Sequence, residues 1–168
     1  ITMGFETTNL LFGRTNNPYN LEMTSGGSSG GAAAILAAGG APFEIGTDTG
    51  GSIRLPAHFC GVAGLKPTQG RIPRTGHVVS FDGPHQFLTH VGPLARYVED
   101  LSLLFPILAG SDGVDPYITD MKIRDPHDVS LQNLRTAYFL DNGDIPTDVD
   151  TEKIVLDAVK LIAASGAL

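Results

Sequence analysis

The most constraining feature of this sequence is a glycine-rich stretch that places two adjacent serines between glycine pairs, TSGGSSGGAAAILAAGG, from Thr24 to Gly40. Glycines let the backbone turn sharply and approach other groups closely. The small apolar residues that follow predict a short buried helix over Gly31 to Ala38 that begins near Gly30. The N-terminus of this helix therefore falls on Ser28 and Ser29, and a function for the two hydroxyls has to be found.

A second stretch of the same kind, GTDTGGSIRLPA, follows from Gly46 to Ala57. Gly50 and Gly51 allow successive main-chain N–H groups to converge just before Ser52. Such a cradle is what the oxyanion of an acyl transfer requires, and Ser52 would supply the attacking oxygen. A lone Gly-Gly-Ser also fits a tight turn that its serine merely caps, so this motif by itself leaves both interpretations open.

Strand and helix patterns elsewhere predict an α/β protein. The expected elements are a strand over 43–46, a helix over 97–109 that Pro106 kinks or ends, a buried strand over 134–141, and an amphipathic helix over 150–166 with an Asp or Thr cap. Alternating strands and helices favour layers of helix packed on sheet.

Charge and cysteine content exclude several classes of function. Eleven basic and eighteen acidic residues give a net charge of −7, which opposes binding to nucleic-acid phosphates and to anionic membranes. No apolar run approaches the roughly 20 residues of a membrane helix. Cys60 is the only cysteine, so the chain can form neither an internal disulfide nor a cysteine-based metal cluster. We therefore expect a cytoplasmic protein with no nucleic-acid or membrane partner.

Taken together, the two serine loops resemble the amidase signature family. That family has a Gly-Gly-Ser-Ser-Gly-Gly segment, a small-residue helix, and then Gly-x-Asp-x-Gly-Gly-Ser-Ile-Arg-x-Pro. Residues Gly26 to Gly31 and Gly46 to Pro56 match it position by position. The similarity extends upstream through NLLFGRTNNPY and downstream through FCGVAGLKPTQGRIPRTG. It implies an α/β/α layered fold around a mixed β-sheet, of which residues 1–168 would be the central part of one domain.

The resemblance also implies a mechanism. Members of the family are hydrolases with a Ser-cisSer-Lys triad, so Ser52 corresponds to the nucleophile and Ser28 to the serine that relays a proton, with a cis peptide bond before it. Ser29 would be a hydrogen-bonding neighbour. The main-chain N–H groups of Thr49, Gly50 and Gly51, with that of Ser52, would hold the oxyanion. Supporting positions are Asp48 and Arg54, which would orient the loop.

Under the same resemblance the substrate is a small-molecule carboxylic amide, with no metal and no organic cofactor, and a homodimer stays open. The lysine base is the missing part, because the first lysine of the sequence is Lys66, in a GLKPT motif that we interpret as structural. We therefore expect the base to precede Ile1, and we expect this chain alone to be inactive. A desolvated neutral lysine is the kind of group that can deprotonate a serine.

Two alternatives within the family stay open. One is the amide-hydrolysing component of a glutamine-dependent aspartyl/glutamyl-tRNA amidotransferase, its A subunit, although those proteins usually carry SLDQIGP where this chain has QFLTHVGP at 86–93. That difference favours a stand-alone amidase. The other is a non-catalytic relative that has lost the lysine.

Rival families fit less well. The Gly-x-Ser-x-Gly pattern around Ser29 lacks the preceding apolar strand of an α/β-hydrolase elbow. The tripeptide from Asp48 to Gly50 lacks the second carboxylate of an aspartic protease.

Overall fold

The computed structural model describes residues 4–77, 85–132 and 134–167. The chain divides into two compact units, the first ending at Ile123 and the second beginning at Arg124. Both serine loops belong to the first unit. The helices of the described residues are too short or too polar to span a lipid bilayer.

The first unit opens with two small antiparallel strand pairs. Strand β1 (Thr8–Asn9) pairs with β2 (Gly13–Arg14), and β3 (Asn16–Asn17) pairs with β4 (Asn20–Thr24). The last of these strands delivers the chain directly to the first serine loop. Its entry is fixed at Ser25, which is fully buried and whose hydroxyl donates to the carbonyl of Thr15 at 3.1 Å.

A three-stranded sheet carries the second serine loop. It consists of β5 (Phe43–Asp48), β6 (Ala63–Gly64) and β7 (His90–Ala95), in the order β5-β7-β6. The expected strand after residue 43 is confirmed and extends two residues further than predicted. Both strand pairs are antiparallel, so the parallel pair that a mixed sheet requires is not among the described residues.

Five helices accompany these strands, and the α/β class is confirmed. Their bounds are α1 (Gly30–Ala37), α2 (Arg54–Cys60), α3 (His85–Leu88), α4 (Val98–Leu108) and α5 (Val149–Ala164), with a 3-10 turn at Pro126–Asp128. The helices predicted after the serines and after residue 97 are both present. Pro106 lies in the last turn of α4, which ends two residues later, because proline cannot donate to the helix.

The core of the first unit packs α1 and α2 against the sheet. Its buried members are Ala33, Leu36, Ile53, Ala57, Cys60 and Leu94. Small side chains dominate on both helices, so the helices approach the strands closely. Burying a side chain such as Leu36 contributes about 2 kcal/mol, and the two serine loops lie at the N-terminal ends of these two buried helices.

The second unit confirms one prediction and corrects another. Helix α5 begins at an Asp148 cap, whose carboxylate accepts from the N–H groups of Asp150 and Thr151, and the chain turns at Gly166 with φ 95°. The buried strand predicted over 134–141 is wrong, since these residues are irregular and Phe139 is 77% exposed. A strand needs a hydrogen-bonded neighbour, and the described part of this unit contains none.

Candidate active site

The second serine loop is organised by a single carboxylate. Strand β5 ends at Asp48, which is fully buried, and its two oxygens accept five hydrogen bonds from the turn that follows. Oδ1 accepts from the N–H of Gly51 at 2.8 Å and from Nη2 of Arg54 at 2.8 Å. Oδ2 accepts from the N–H of Ile53 at 3.1 Å, and from the N–H and Nε of Arg54 at 3.3 and 3.0 Å. Ser52 is therefore held on a turn that closes around one acid.

These bonds keep Asp48 ionised. Burial by itself raises the pKa of Asp48, but the hydrogen bonds from Arg54, Ile53 and Gly51 outweigh it and lower the pKa from 3.8 to about 2. Arg54 is the matching partner, and its guanidinium is 56% exposed. The supporting role expected for both residues agrees with these contacts, which orient the turn from beneath.

The lowered pKa of Asp48 predicts a pH dependence of stability. A carboxylate whose pKa is lower in the folded state stabilises fully above about pH 4, and this contribution is lost as the pH falls through about 2. The difference from 3.8 corresponds to about 2 kcal/mol. In urea titrations, the free energy of unfolding of the wild type should therefore fall by about 2 kcal/mol more than that of Asp48→Asn between pH 5 and pH 2. Parallel curves would contradict the account of this turn.

Gly51 has a different position from the one expected. Its N–H is directed at Asp48 rather than towards a substrate, and its φ of 129° is one that only glycine adopts readily. By contrast, the N–H groups of Gly50 and Ser52 make no hydrogen bond within the described residues. Gly51 therefore shapes the turn, and the free main-chain donors are its neighbours on either side.

The first serine loop lies directly against this turn. The peptide bond between Gly27 and Ser28 is cis, as the resemblance implies. The N–H of Ser29 donates to the carbonyl of Ser52 at 3.2 Å, and the Ser29 hydroxyl donates to the carbonyl of Thr47 at 3.5 Å. Two segments 24 residues apart in the sequence, taken from 52 − 28, thus meet through their main chains.

The hydroxyls of Ser28 and Ser52 are partly buried, and no hydrogen bond joins them in the structure. Nor does any described lysine bond to either serine, since the Lys66 amine donates to the carbonyl of Pro67 at 3.2 Å. The structural interpretation of Lys66 agrees with that contact. No cluster of three or more metal-ligating side chains occurs in the part of the chain that the structure describes.

Thr7 is a site residue that the sequence did not indicate. Its hydroxyl donates to the carbonyl of Gly26 at 2.9 Å and accepts from the N–H of Gly30 at 3.1 Å. It thereby ties both ends of the first serine loop together and satisfies one of the open donors at the start of α1. The contact joins residues 23 positions apart, and no local pattern marks such a partner.

Neighbouring glycines at the start of α1 provide a matched test of this packing. A Cβ added at Gly30 would lie 2.3 Å from Oγ1 of Thr7 and 2.6 Å from Oγ of Ser25, whereas one added at Gly31 meets nothing within 4 Å. We expect Gly30→Ala to lower the free energy of unfolding by about 1–3 kcal/mol. Gly31→Ala should be neutral or slightly stabilising, because alanine is the better helix former. Equal melting temperatures for the two variants would show that Thr7 does not hold the loop.

The comparisons with known proteins settle the family. A family model described as Amidase matches residues 1–168. This chain belongs to the amidase signature family. The resemblance on which the site was predicted is thus confirmed, and the loops from Gly26 to Gly31 and from Gly46 to Pro56 are the family's motifs.

Individual relatives of this amidase-family chain include stand-alone enzymes and components of larger enzymes. The A subunit of glutamyl-tRNA(Gln) amidotransferase from Carboxydothermus hydrogenoformans is 42% identical over 99% of this chain and 34% of its own length. A bacterial aryl acylamidase structure has a TM-score of 0.83 and 36% identity, covering 98% of this chain and 34% of its own. The corresponding amidotransferase protein of Thermotoga maritima has a TM-score of 0.86 and 35% identity, covering 99% and 36%. The chain spans about a third of the length of the relatives it matches.

Proposed function

We propose that this chain carries the nucleophile of an enzyme that hydrolyses a carboxylic amide through a seryl acyl-enzyme. The observation that carries the proposal is the main-chain bond from Ser29 to Ser52, which holds one serine loop against the other. The buried carboxylate of Asp48 fixes the turn on which Ser52 sits. Membership of the amidase signature family agrees with this chemistry.

In the proposed reaction the Ser52 oxygen attacks the amide carbonyl carbon, and a tetrahedral oxyanion forms. The main-chain N–H groups of Thr49, Gly50 and Ser52 donate to this oxyanion. A donor so placed is worth on the order of 3 kcal/mol in the transition state. The C–N bond then breaks, the amine leaves with a proton, and water attacks the ester to release the acid.

The proton of Ser52 moves through Ser28. In this proposal Ser28 takes it and loses its own proton to a neutral lysine, and the same path returns a proton to the leaving amine. Ser28 and Ser52 must come into hydrogen-bonding distance when substrate binds, since catalytic hydrogen bonds often tighten only in the complex. We place the lysine in a segment N-terminal to Ile1, so that the 168 residues form the central part of a longer domain and are inactive alone.

The proposal extends to the surroundings of the enzyme. The substrate is a small-molecule amide, no cofactor takes part, and the protein acts in the cytoplasm. A homodimer is testable by light scattering on the complete protein. The chemistry is tested with the complete protein and a panel of amides, from short aliphatic through aryl to long-chain acyl groups. Release of acid and amine from at least one class supports the proposal, and no turnover of any class contradicts it.

A second candidate is the A subunit of a glutamine-dependent tRNA amidotransferase. The observation in its favour is that curated relatives at 42% identity carry that name. Release of ammonia from glutamine, with no turnover of other amides, would favour this candidate. The sequence QFLTHVGP at 86–93 differs from the usual SLDQIGP and favours the amidase.

A third outcome, the non-catalytic relative, is decided by the same panel. It would show neither activity and would lack a lysine in the preceding segment.

A further inference from the structure

One side chain outside both serine motifs reaches the turn that carries Ser52. Thr89 lies just before β7 and is only 3% exposed. Its hydroxyl is 2.8 Å from the hydroxyl of Thr49, a separation at which one donates to the other. Thr49 is the first residue of the turn, directly after Asp48 and three positions before Ser52.

The position of Thr89 follows from the register of the sheet. Strands β5 and β7 are antiparallel and pair Asp48 with His90 at their last position. The next residues outward are therefore Thr49 and Thr89, which face each other across the strand ends. Hydrogen-bonded threonine pairs at such cross-strand positions stabilise sheets measurably. The pair continues the sheet by one step into the turn.

The other side of this pair is also held firmly. His90 is 8% exposed, and its Nδ1 lies 2.6 Å from the carbonyl of Leu88, so the ring spans the residue between them. Thr89 is thereby presented from a fixed backbone. Asp48, in contrast, reaches only residues 51, 53 and 54 of the turn, and leaves the peptide between Thr49 and Gly50 to be oriented by other groups.

We propose that Thr89 is a positioning residue for the oxyanion-binding turn: through the hydroxyl of Thr49 it orients the N–H groups of Thr49 and Gly50 towards the carbonyl oxygen of the substrate. The inference rests on the proposed function and deepens it. Thr89 does not touch the reacting atoms. Its loss should therefore weaken transition-state stabilisation, which appears in kcat, and leave substrate binding, which appears in KM, nearly unchanged.

The test uses the complete protein and three variants. Thr89→Val removes the hydroxyl and keeps the shape, Thr89→Ser keeps the hydroxyl, and Thr68→Val is a matched control at a nearby threonine that bonds to no residue of the turn. We expect Thr89→Val to lower kcat about tenfold with KM within about twofold of wild type, which is less than the loss of a whole donor. Thr89→Ser should retain at least about half of wild-type kcat, and Thr68→Val should match wild type.

A double-mutant cycle separates positioning from general stability. Thr49→Val removes the same hydrogen bond from the other partner, so the test survives even if Thr89→Val does not fold. The double variant should lose no more kcat than Thr49→Val alone, because both changes act through one bond. Losses that multiply, or a Thr89→Val variant with wild-type kcat, would overturn the inference.

The two proposals fail in distinguishable ways. Labelling of wild-type Ser52 by a fluorophosphonate with kcat unaffected in both valine variants overturns the inference alone. Equal losses in Thr89→Ser and Thr89→Val, accompanied by lower melting temperatures, also overturn it, since they indicate a purely structural role. Absence of labelling at Ser52 in the wild type overturns the proposed function and the inference with it.

Discussion

Replacing Ser52 with alanine in the complete protein should reduce kcat for amide hydrolysis on the order of 10⁴-fold or more. The substitution removes the only oxygen placed to attack the carbonyl, and the remaining donors can stabilise an oxyanion only if water attacks instead. The fold should survive, because the hydrogen bonds that hold the turn run from Asp48 to Gly51, Ile53 and Arg54. Turnover and covalent labelling by a fluorophosphonate probe measure the effect.

Ser29→Ala is the matched control for this variant. Ser29 contacts the nucleophile turn through its N–H, which alanine keeps, and its hydroxyl makes only a 3.5 Å bond to the carbonyl of Thr47. We expect labelling close to wild type. The opposite pattern, in which Ser29→Ala abolishes labelling and Ser52→Ala does not, would favour the nucleophile elbow that the sequence context argues against.

Replacing Ser28 with alanine is expected to have the second-largest effect. Loss of a group that transfers protons in the transition state typically costs about 10²–10⁴-fold in rate. Covalent labelling should become slow but should not vanish, because Ser52 and its main-chain donors remain. The second-order rate constant for labelling and kcat for hydrolysis, measured on the same preparation, report the two steps.

The pH dependence adds a second criterion for Ser28. If Ser28 passes the proton of Ser52 to a lysine, the rate of the alanine variant should rise with pH across the range where hydroxide replaces that path. A variant with wild-type kcat would remove Ser28 from the mechanism. Complete loss of labelling together with a lower melting temperature would instead show that the hydroxyl is needed to form the loop.

Elements with strong local signals were predictable from the sequence. The helix after the serines, the strand after Pro42 and the capped helix before Gly166 each depend on neighbouring residues, and all three are present. The strand expected over 134–141 was wrong because an apolar run fits a strand only where another strand lies beside it. That condition depends on the rest of the fold and cannot be read from eight residues.

The site was predictable where the chemistry is written in one motif. Asp48 and Arg54 form the expected support, and the loops of Ser28 and Ser52 come together as the resemblance implies. The direction of the Gly51 N–H was not predictable, because it depends on where the Asp48 carboxylate ends up.

Two threonines of the site also escaped the sequence. Thr7 and Thr89 act across 23 and 40 residues and carry no motif of their own. Their contacts depend on how distant segments pack, so only the folded structure identifies them.

The most direct test of the central claim is to locate the covalent adduct. The complete protein is treated with a fluorophosphonate, digested, and mapped by tandem mass spectrometry over the peptides that contain residues 24–40 and 46–57. We predict a single modification, on Ser52, that a competing amide substrate suppresses. A modification on Ser28 or Ser29, or an unmodified Ser52 in a protein that still hydrolyses amides, would contradict the account.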